Sequence, residues 1–280
     1  MSTMKGLARK LTRGFTALLC LFFAGVRAHA DTLYVANARS NTIVKIDSSG
    51  NGTVFASSLP FPLGGMKPYG LAFDSSGNLY EADAGSDRIL KFDPSGNASL
   101  FARYNLLTHP YALAFDASGN LYVANNLGNS VVRFDPSGNG TVFASPVYTN
   151  SPFNFPVGLA FDAPGNLYVG NDGSGAIMKF DPNGNGSLFA SLGVGGGGAP
   201  VVGDISGLAI DSEGDIYTAT YGSSTVRKWD SSGHGSIFAD ASDGLGGPTF
   251  MAVLVPEPSS FLLAVFGALV LWPLHKRKRL

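Results

Sequence analysis

The sequence predicts an all-β chain, a β-propeller of five four-stranded blades, and three observations predict it. The stretch Pro110 to Ser145, PYALAFDASGNLYVANNLGNSVVRFDPSGNGTVFAS, returns in altered form at least four more times. Its LYVAN-like strand falls at Leu33–Asn37, Leu79–Asp83, Leu121–Asn125, Leu167–Asn171 and Ile216–Thr220, at spacings of 46, 42, 46 and 49 residues. A period in the forties, built of short strands rich in aromatic and β-branched residues, is that of a propeller blade. Finally, 280 residues with 37 glycines and only 14% charged side chains describe a turn-rich globular chain long enough for one sizeable core.

Each copy reads as four strands. Strand A is GLAFD (Gly70 to Asp74, with counterparts from Ala112, Gly158 and Gly207), B is LYVAN, C is IVKID or VVRFD, and D is TVFAS. The A to B link is D-x-x-G-N or a near relative, as at Asp116 to Asn120, and the C to D link is Asp135-Pro136-Ser137-Gly138-Asn139. Such clusters make tight hairpins, because Pro presets φ, Asp caps the turn, and Gly or Asn accepts positive φ. Strands A and B are apolar at both alternating sets of positions, so both faces should be covered, as stacking blade on blade does.

The ends of the array predict how the ring closes. The first copy begins with strand B at Leu33, and a stray strand A, Pro248 to Leu254, follows the last strand D. Segment 248–254 is therefore expected to complete the first blade and join the chain's ends.

Outside this body, the two terminal segments read as addresses. Residues 1–30 have a basic start, an apolar run around Phe15 to Val26, and Ala28-His29-Ala30 before Asp31. That is the order of a secretory signal peptide cleaved after Ala30. Cys20, the only cysteine, lies in that run, so the mature body 31–254 would hold no disulfide. In segment 255–280, Val255-Pro256-Glu257-Pro258 precedes the apolar Phe261 to Leu274 and then His275-Lys276-Arg277-Lys278-Arg279. The apolar run is shorter than the ~20 residues of a bilayer span, so length alone leaves a marginal or interfacial helix.

The order of rigid Pro-x-Pro, apolar stretch 261–274 and basic end resembles the PEP-CTERM sorting tail of exopolysaccharide-producing Gram-negative bacteria. The resemblance implies recognition by an exosortase at Pro256, Glu257 and Pro258, transient anchoring in the membrane, and release to the cell surface or extracellular matrix. An ordinary C-terminal anchor is the alternative. Either way the basic end stays cytoplasmic and the body lies outside.

Charge narrows the partners. Nine of the 19 basic residues sit in the terminal segments against one of the 20 acidic ones, so residues 31 to 255 carry about −9. Nucleic acid, which needs a basic surface, is not an expected partner.

The repeat pattern, clearest at Pro68 to Arg103 with Asp83, Arg88 and Phe92, resembles the NHL repeat and its relatives in gluconolactonase-like and streptogramin-lyase-like propellers. The resemblance leaves six blades as the alternative to the five copies counted, and it implies a fold rather than an activity.

Function is expected on one rim. The A to B and C to D turns share a rim and are stereotyped, whereas the B to C loops and the variable D to A connections share the other. The variable rim gathers Tyr69, His109, Tyr111, Tyr148 and Tyr221 as candidate ligand-binding residues, with Tyr69 and Tyr111 placed beside the central channel where they open strand A. Aromatic faces around a concave mouth suit a sugar ring or a peptide.

Asn37, Asp83, Asn125 and Asn171 end strands B, where each is expected to cap its own B to C loop. Oxygen ligands suit calcium, but one Asp among amides is a weak charge, and Asp181 to Gly186 lacks the Glu that closes a calcium loop. No cofactor and no metal site is therefore expected.

Catalysis has few candidates. The resemblance to gluconolactonases implies metal ligands just before the GL of inner strands, and those positions here are Tyr69, Tyr111, Val157, Ser206 and Thr249. A lyase mechanism needs a histidine base, for which His109 is the sole candidate, and no G-x-S-x-G elbow occurs. The expected function is a secreted, non-catalytic binding module for exopolysaccharide or another envelope component. A metal-assisted hydrolase or lyase is the runner-up, and a purely structural matrix protein the third reading.

Overall fold

The structure is a computed structural model that describes residues 33–47, 49–57, 66–103, 105–146, 152–192, 205–211, 213–243 and 245. Five antiparallel sheets follow one another along the chain. They are β1 (Leu33–Asn37) to β3 (Gly52–Ala56) with β2 (Thr42–Ile46) between; β4 (Pro68–Phe73), β5 (Leu79–Asp83), β6 (Arg88–Phe92) and β7 (Ala98–Arg103); β8 (Pro110–Phe115), β9 (Leu121–Asn125), β10 (Ser130–Phe134) and β11 (Gly140–Ala144); β12 (Pro156–Phe161), β13 (Leu167–Asn171), β14 (Ala176–Phe180) and β15 (Gly186–Ser191); and β16 (Ile205–Ile210), β17 (Ile216–Thr220), β18 (Thr225–Trp229) and β19 (Gly235–Ala239).

The protein is a five-bladed propeller, with strands A to D of each copy ordered from the channel outward. The first blade shows three strands; the strand expected over 248–254 lies outside the described residues, as do the expected signal segment 1–30 and tail 255–280.

Among the described residues, nine Asp turns make the stereotyped rim. At Asp116, Oδ1 accepts the N–H groups of Ser118 (2.9 Å) and Asn120 (2.8 Å), while Oδ2 accepts Asn120 Nδ2 (2.7 Å). The same Asp to Asn pattern recurs at Asp47, Asp74, Asp93, Asp135 and Asp181. Gly119 sits at φ 81° in this turn, a conformation that costs an L-residue about 1–2 kcal/mol. Gly119→Ala is expected to lower stability by about that amount, read as a shift in denaturant midpoint at unchanged slope.

Blades are joined through aromatic mortises. Tyr80 of β5 packs edge-on against Phe101 of its own blade (5.0 Å) and Phe115 of the next (4.9 Å). Tyr34 repeats this with Phe55 and Phe73, and Tyr122 with Phe143 and Phe161. Over Tyr34, Tyr80, Tyr168 and Tyr217 lies a lysine of strand C, as Lys91 Nζ does at 5.2 Å from Tyr80. Buried clusters of Leu, Val, Ile and Phe fill the four interfaces between the first and fifth blades. At the remaining seam, Leu33 and Val35 stay 54% and 37% exposed, whereas their counterparts Leu121 and Val123 are fully buried.

Candidate functional site

Side chains at the ends of strands B hold the variable rim together. Asp83 Oδ1 accepts the Lys67 N–H (2.8 Å), Asn125 Oδ1 the Thr108 N–H, and Asn171 Oδ1 the Asn154 N–H (3.0 Å). Their other atoms turn to strand C: Asp83 Oδ2 takes Arg88 Nε at 2.7 Å, and Asn125 Nδ2 donates to Ser130 Oγ at 2.9 Å. Capping of the B to C loop alone was too narrow an expectation, because each of these side chains also clamps the connection that leads into strand A.

A second set of latches crosses from blade to blade. Asp87 and Asn129 adopt left-handed backbone (φ 48° and 49°), which their short polar side chains tolerate. Asp87 Oδ1 accepts the His109 N–H at 2.6 Å and Asn129 Oδ1 the Phe155 N–H at 2.9 Å. His109 and Phe155 are themselves left-handed (φ 55° and 50°), so the preceding blade holds the residue before each strand-A proline in a strained conformation.

The inner strands enclose a channel of about 560 Å³. Gly70-Leu71, Ala112-Leu113, Gly158-Leu159 and Gly207-Leu208 wall it, with Leu33 to Ala36 of β1. Neighbouring inner strands come so close that a Cβ on Gly70 would stand 2.4 Å from the Tyr111 carbonyl oxygen and 2.9 Å from Ala112 Cα. Among the described lining residues there is no carboxylate and no histidine, so the wall is apolar and backbone-rich.

At the variable-rim mouth the structure brings three of the sequence-predicted residues together. Tyr69 and Tyr111, opening β4 and β8, have ring centroids 4.7 Å apart, and His109 lies 5.6 Å from Tyr69 and 6.3 Å from Tyr111. Burial pushes the Tyr111 hydroxyl up to about 12, with Tyr69 and Asp172 adding to it. Burial, then the nearby Lys67 charge, lowers the His109 pKa against the opposing pull of Asp87, which keeps the imidazole neutral at pH 7. His109 Nδ1 is shut off from water and makes no hydrogen bond. Tyr221 is 59% exposed in the β17 to β18 loop, and Tyr148 lies outside the described residues.

Glu81, which the sequence reading passed over, is fully buried in the middle of β5 where β9 and β13 carry Val123 and Val169. Neither carboxyl oxygen has a hydrogen-bond partner. Burial raises its pKa well above the usual carboxylate range, and the Asp83 charge raises it further while Arg88 opposes. The only sequence signal was a charged residue within an otherwise apolar LYEAD.

Two loops gather acidic side chains. Asp181 Oδ1 accepts the N–H groups of Asn183 and Asn185, the hairpin expected there. The carboxylates of Asp211, Glu213 and Asp215 lie within 4.8 Å of one another. Asp215 is paired with Lys228 at 2.7 Å, and Asp211 accepts the Tyr217 hydroxyl at 3.1 Å.

No family model matches the chain, and neither does any curated protein. Solved structures do. A virginiamycin B lyase from Staphylococcus aureus superposes with a TM-score of 0.60 at 16% identity, over 75% of this chain and 67% of that one. A gluconolactonase from Xanthomonas campestris gives 0.59 at 23% identity, over 74% of this chain and 71% of that one. A chain of a nidogen–laminin complex gives 0.63 at 18% identity, over 80% and 81%. At these identities the likeness is one of fold: the chain is a β-propeller of the architecture shared by lyase, gluconolactonase and nidogen-complex chains.

Proposed function

We propose that the protein is a secreted, surface-sorted propeller that binds an extracellular polysaccharide chain at the variable-rim mouth without transforming it. The observation that carries this reading is the Tyr69, His109 and Tyr111 cluster above an apolar channel wall. Aromatic faces backed by a wall that is uncharged among the described residues offer stacking to the C–H face of a sugar ring, and those described wall residues hold no paired acid and base. Export through segment 1–30 and sorting by an exosortase at Pro256, Glu257 and Pro258 rest on the sequence pattern of those segments. The acidic body leaves nucleic acid aside as a partner.

A second reading, metal-assisted hydrolysis or lyase chemistry, draws on one observation: the neutral His109 imidazole with its unpartnered Nδ1 at the same mouth. The two are separated on a glycan array and in a turnover assay with added divalent metal. Binding reduced at least about tenfold by Tyr69→Ala and Tyr111→Ala, the loss of roughly 1.4 kcal/mol or more, supports the binding module. Lactone or ester turnover abolished by His109→Ala would replace it with the enzyme. No signal in either assay favours a structural matrix role.

A further inference from the structure

The connections into strands A differ by one residue. In each, a backbone N–H is gripped by the side chain that ends strand B: Lys67 by Asp83, Thr108 by Asn125 and Asn154 by Asn171. Lys67 is followed directly by its strand-A proline, Pro68, whereas His109 stands between Thr108 and Pro110, and Phe155 between Asn154 and Pro156. The third and fourth blades therefore carry an inserted residue, and both insertions are aromatic rings. Both are left-handed, at φ 55° and 50°, while Lys67 is not. A bulky side chain disfavours that conformation, and a following proline pushes the residue toward extended backbone instead. Glycine or asparagine would meet the need of the backbone at lower cost.

The fold alone leaves a ring at position 155 unexplained. The bonds that hold this residue use its backbone: its N–H donates to Asn129 Oδ1 at 2.9 Å and its carbonyl accepts the Asp172 N–H at 2.9 Å. Little of the strain returns as burial, since Phe155 stays 39% exposed. The ring is nevertheless fixed from beneath, its Cδ2 so close to Gly173 that a Cβ there would stand 2.7 Å away. A ring held in a costly conformation, anchored at one edge and otherwise open, is a pre-organised contact surface. In the third blade the same insertion sets His109 against Tyr69 and Tyr111. Tyr111 in turn packs against the buried cluster that holds Val157, just beyond Phe155, so the two inserted rings belong to adjoining parts of one rim.

We propose that Phe155 is a second sugar platform beside the Tyr69, His109 and Tyr111 cluster, so that the variable rim takes consecutive rings of a linear glycan laid from the third blade to the fourth, rather than one terminal sugar. The second platform rests on the reading of the mouth as a sugar-binding surface. Each platform offers an aromatic face to the C–H face of one sugar. Because both are carried on one rigid wheel, a glycan seated on the first meets the second at high effective concentration, and affinity rises with chain length.

The test compares full-length wild type, Phe155→Gly, Phe155→Tyr and Tyr69→Ala on an array of linear glucose, mannose and uronate oligosaccharides graded from single sugars to hexamers. Phe155→Gly is expected to lose about three- to tenfold in affinity for the longer oligomers, with the loss fading toward single sugars. Its denaturant midpoint should stay close to that of wild type, because glycine accepts the left-handed backbone and the relieved strain offsets the lost ring contacts. Phe155→Tyr should keep the dependence on chain length. A Phe155→Gly chain that binds long oligomers as wild type does overturns the second platform while the sugar-binding mouth stands. Equal losses at every chain length together with a lowered midpoint make Phe155 a structural residue and overturn it as well. A wild type that binds no oligosaccharide, or binds indifferently to Tyr69→Ala, overturns the sugar-binding mouth and the second platform with it.

Discussion

Replacing Glu81 with valine is expected to stabilise the protein at pH 7 by about 1–3 kcal/mol, the usual cost of a buried polar group without partners. The substitution recreates Val123 and Val169, which fill the same place in the next two blades. The pH dependence has a defined sign. With its folded pKa raised well above the reference 4.5, Glu81 keeps in the native state a proton that the unfolded chain releases. Its contribution to stability is therefore most favourable below pH 4.5 and falls as pH rises toward the folded pKa, by up to about 1.4 kcal/mol per pH unit. Glu81→Gln should remove this slope while keeping most of the burial cost. Denaturant midpoints of wild type, Glu81→Gln and Glu81→Val at several pH values check it; parallel curves for wild type and Glu81→Gln would show that the carboxyl is solvated after all.

Asp83→Ala is expected to cost about 3–5 kcal/mol, the penalty for breaking a buried ion pair from one side. Asp83 is fully buried, its partner Arg88 nearly so, and the 2.7 Å contact shares the carboxylate with the Lys67 N–H. Removing it takes the counter-charge from a buried guanidinium and frees the connection into β4. The neighbouring blade suggests the rescue. Asn125 and Ser130 do the same work there without charge, so Asp83→Asn with Arg88→Ser should recover most of the loss. A double variant as unstable as Asp83→Ala would mean that the charge itself, rather than the geometry it holds, supports the blade.

The blades and their turns were legible because the chemistry that makes them is local. Asp116 to Asn120 contains every donor and acceptor its turn uses, so five residues of sequence suffice to predict it. The pairing of Tyr69 with Tyr111 was legible at one remove, since equivalent positions in adjacent repeats must meet where inner strands converge. Partnerships across blades were not. Asp87 and His109, or Asn129 and Phe155, stand 22 and 26 residues apart in the chain, and nothing near either residue announces the other. For Tyr221 the sequence reaches only the rim: it stands exposed in the β17 to β18 loop, and rim membership does not fix which way a loop side chain points. Glu81 escaped notice because alternation tells which face a residue takes, not whether the opposing blade offers a partner.

The clamp on the connection into each blade has a bearing on how such a protein changes over generations. Asp83, Asn125 and Asn171 seize the last one to four residues before strand A. Whatever lies upstream of that grip can lengthen or shorten without disturbing the ring, as the unequal gaps from Arg103 to Pro110 and from Ser191 to Ile205 already illustrate. These connections are natural grafting points: foreign loops ending in a clamped residue and its proline could be exchanged there, giving a library of mouths on an unaltered wheel.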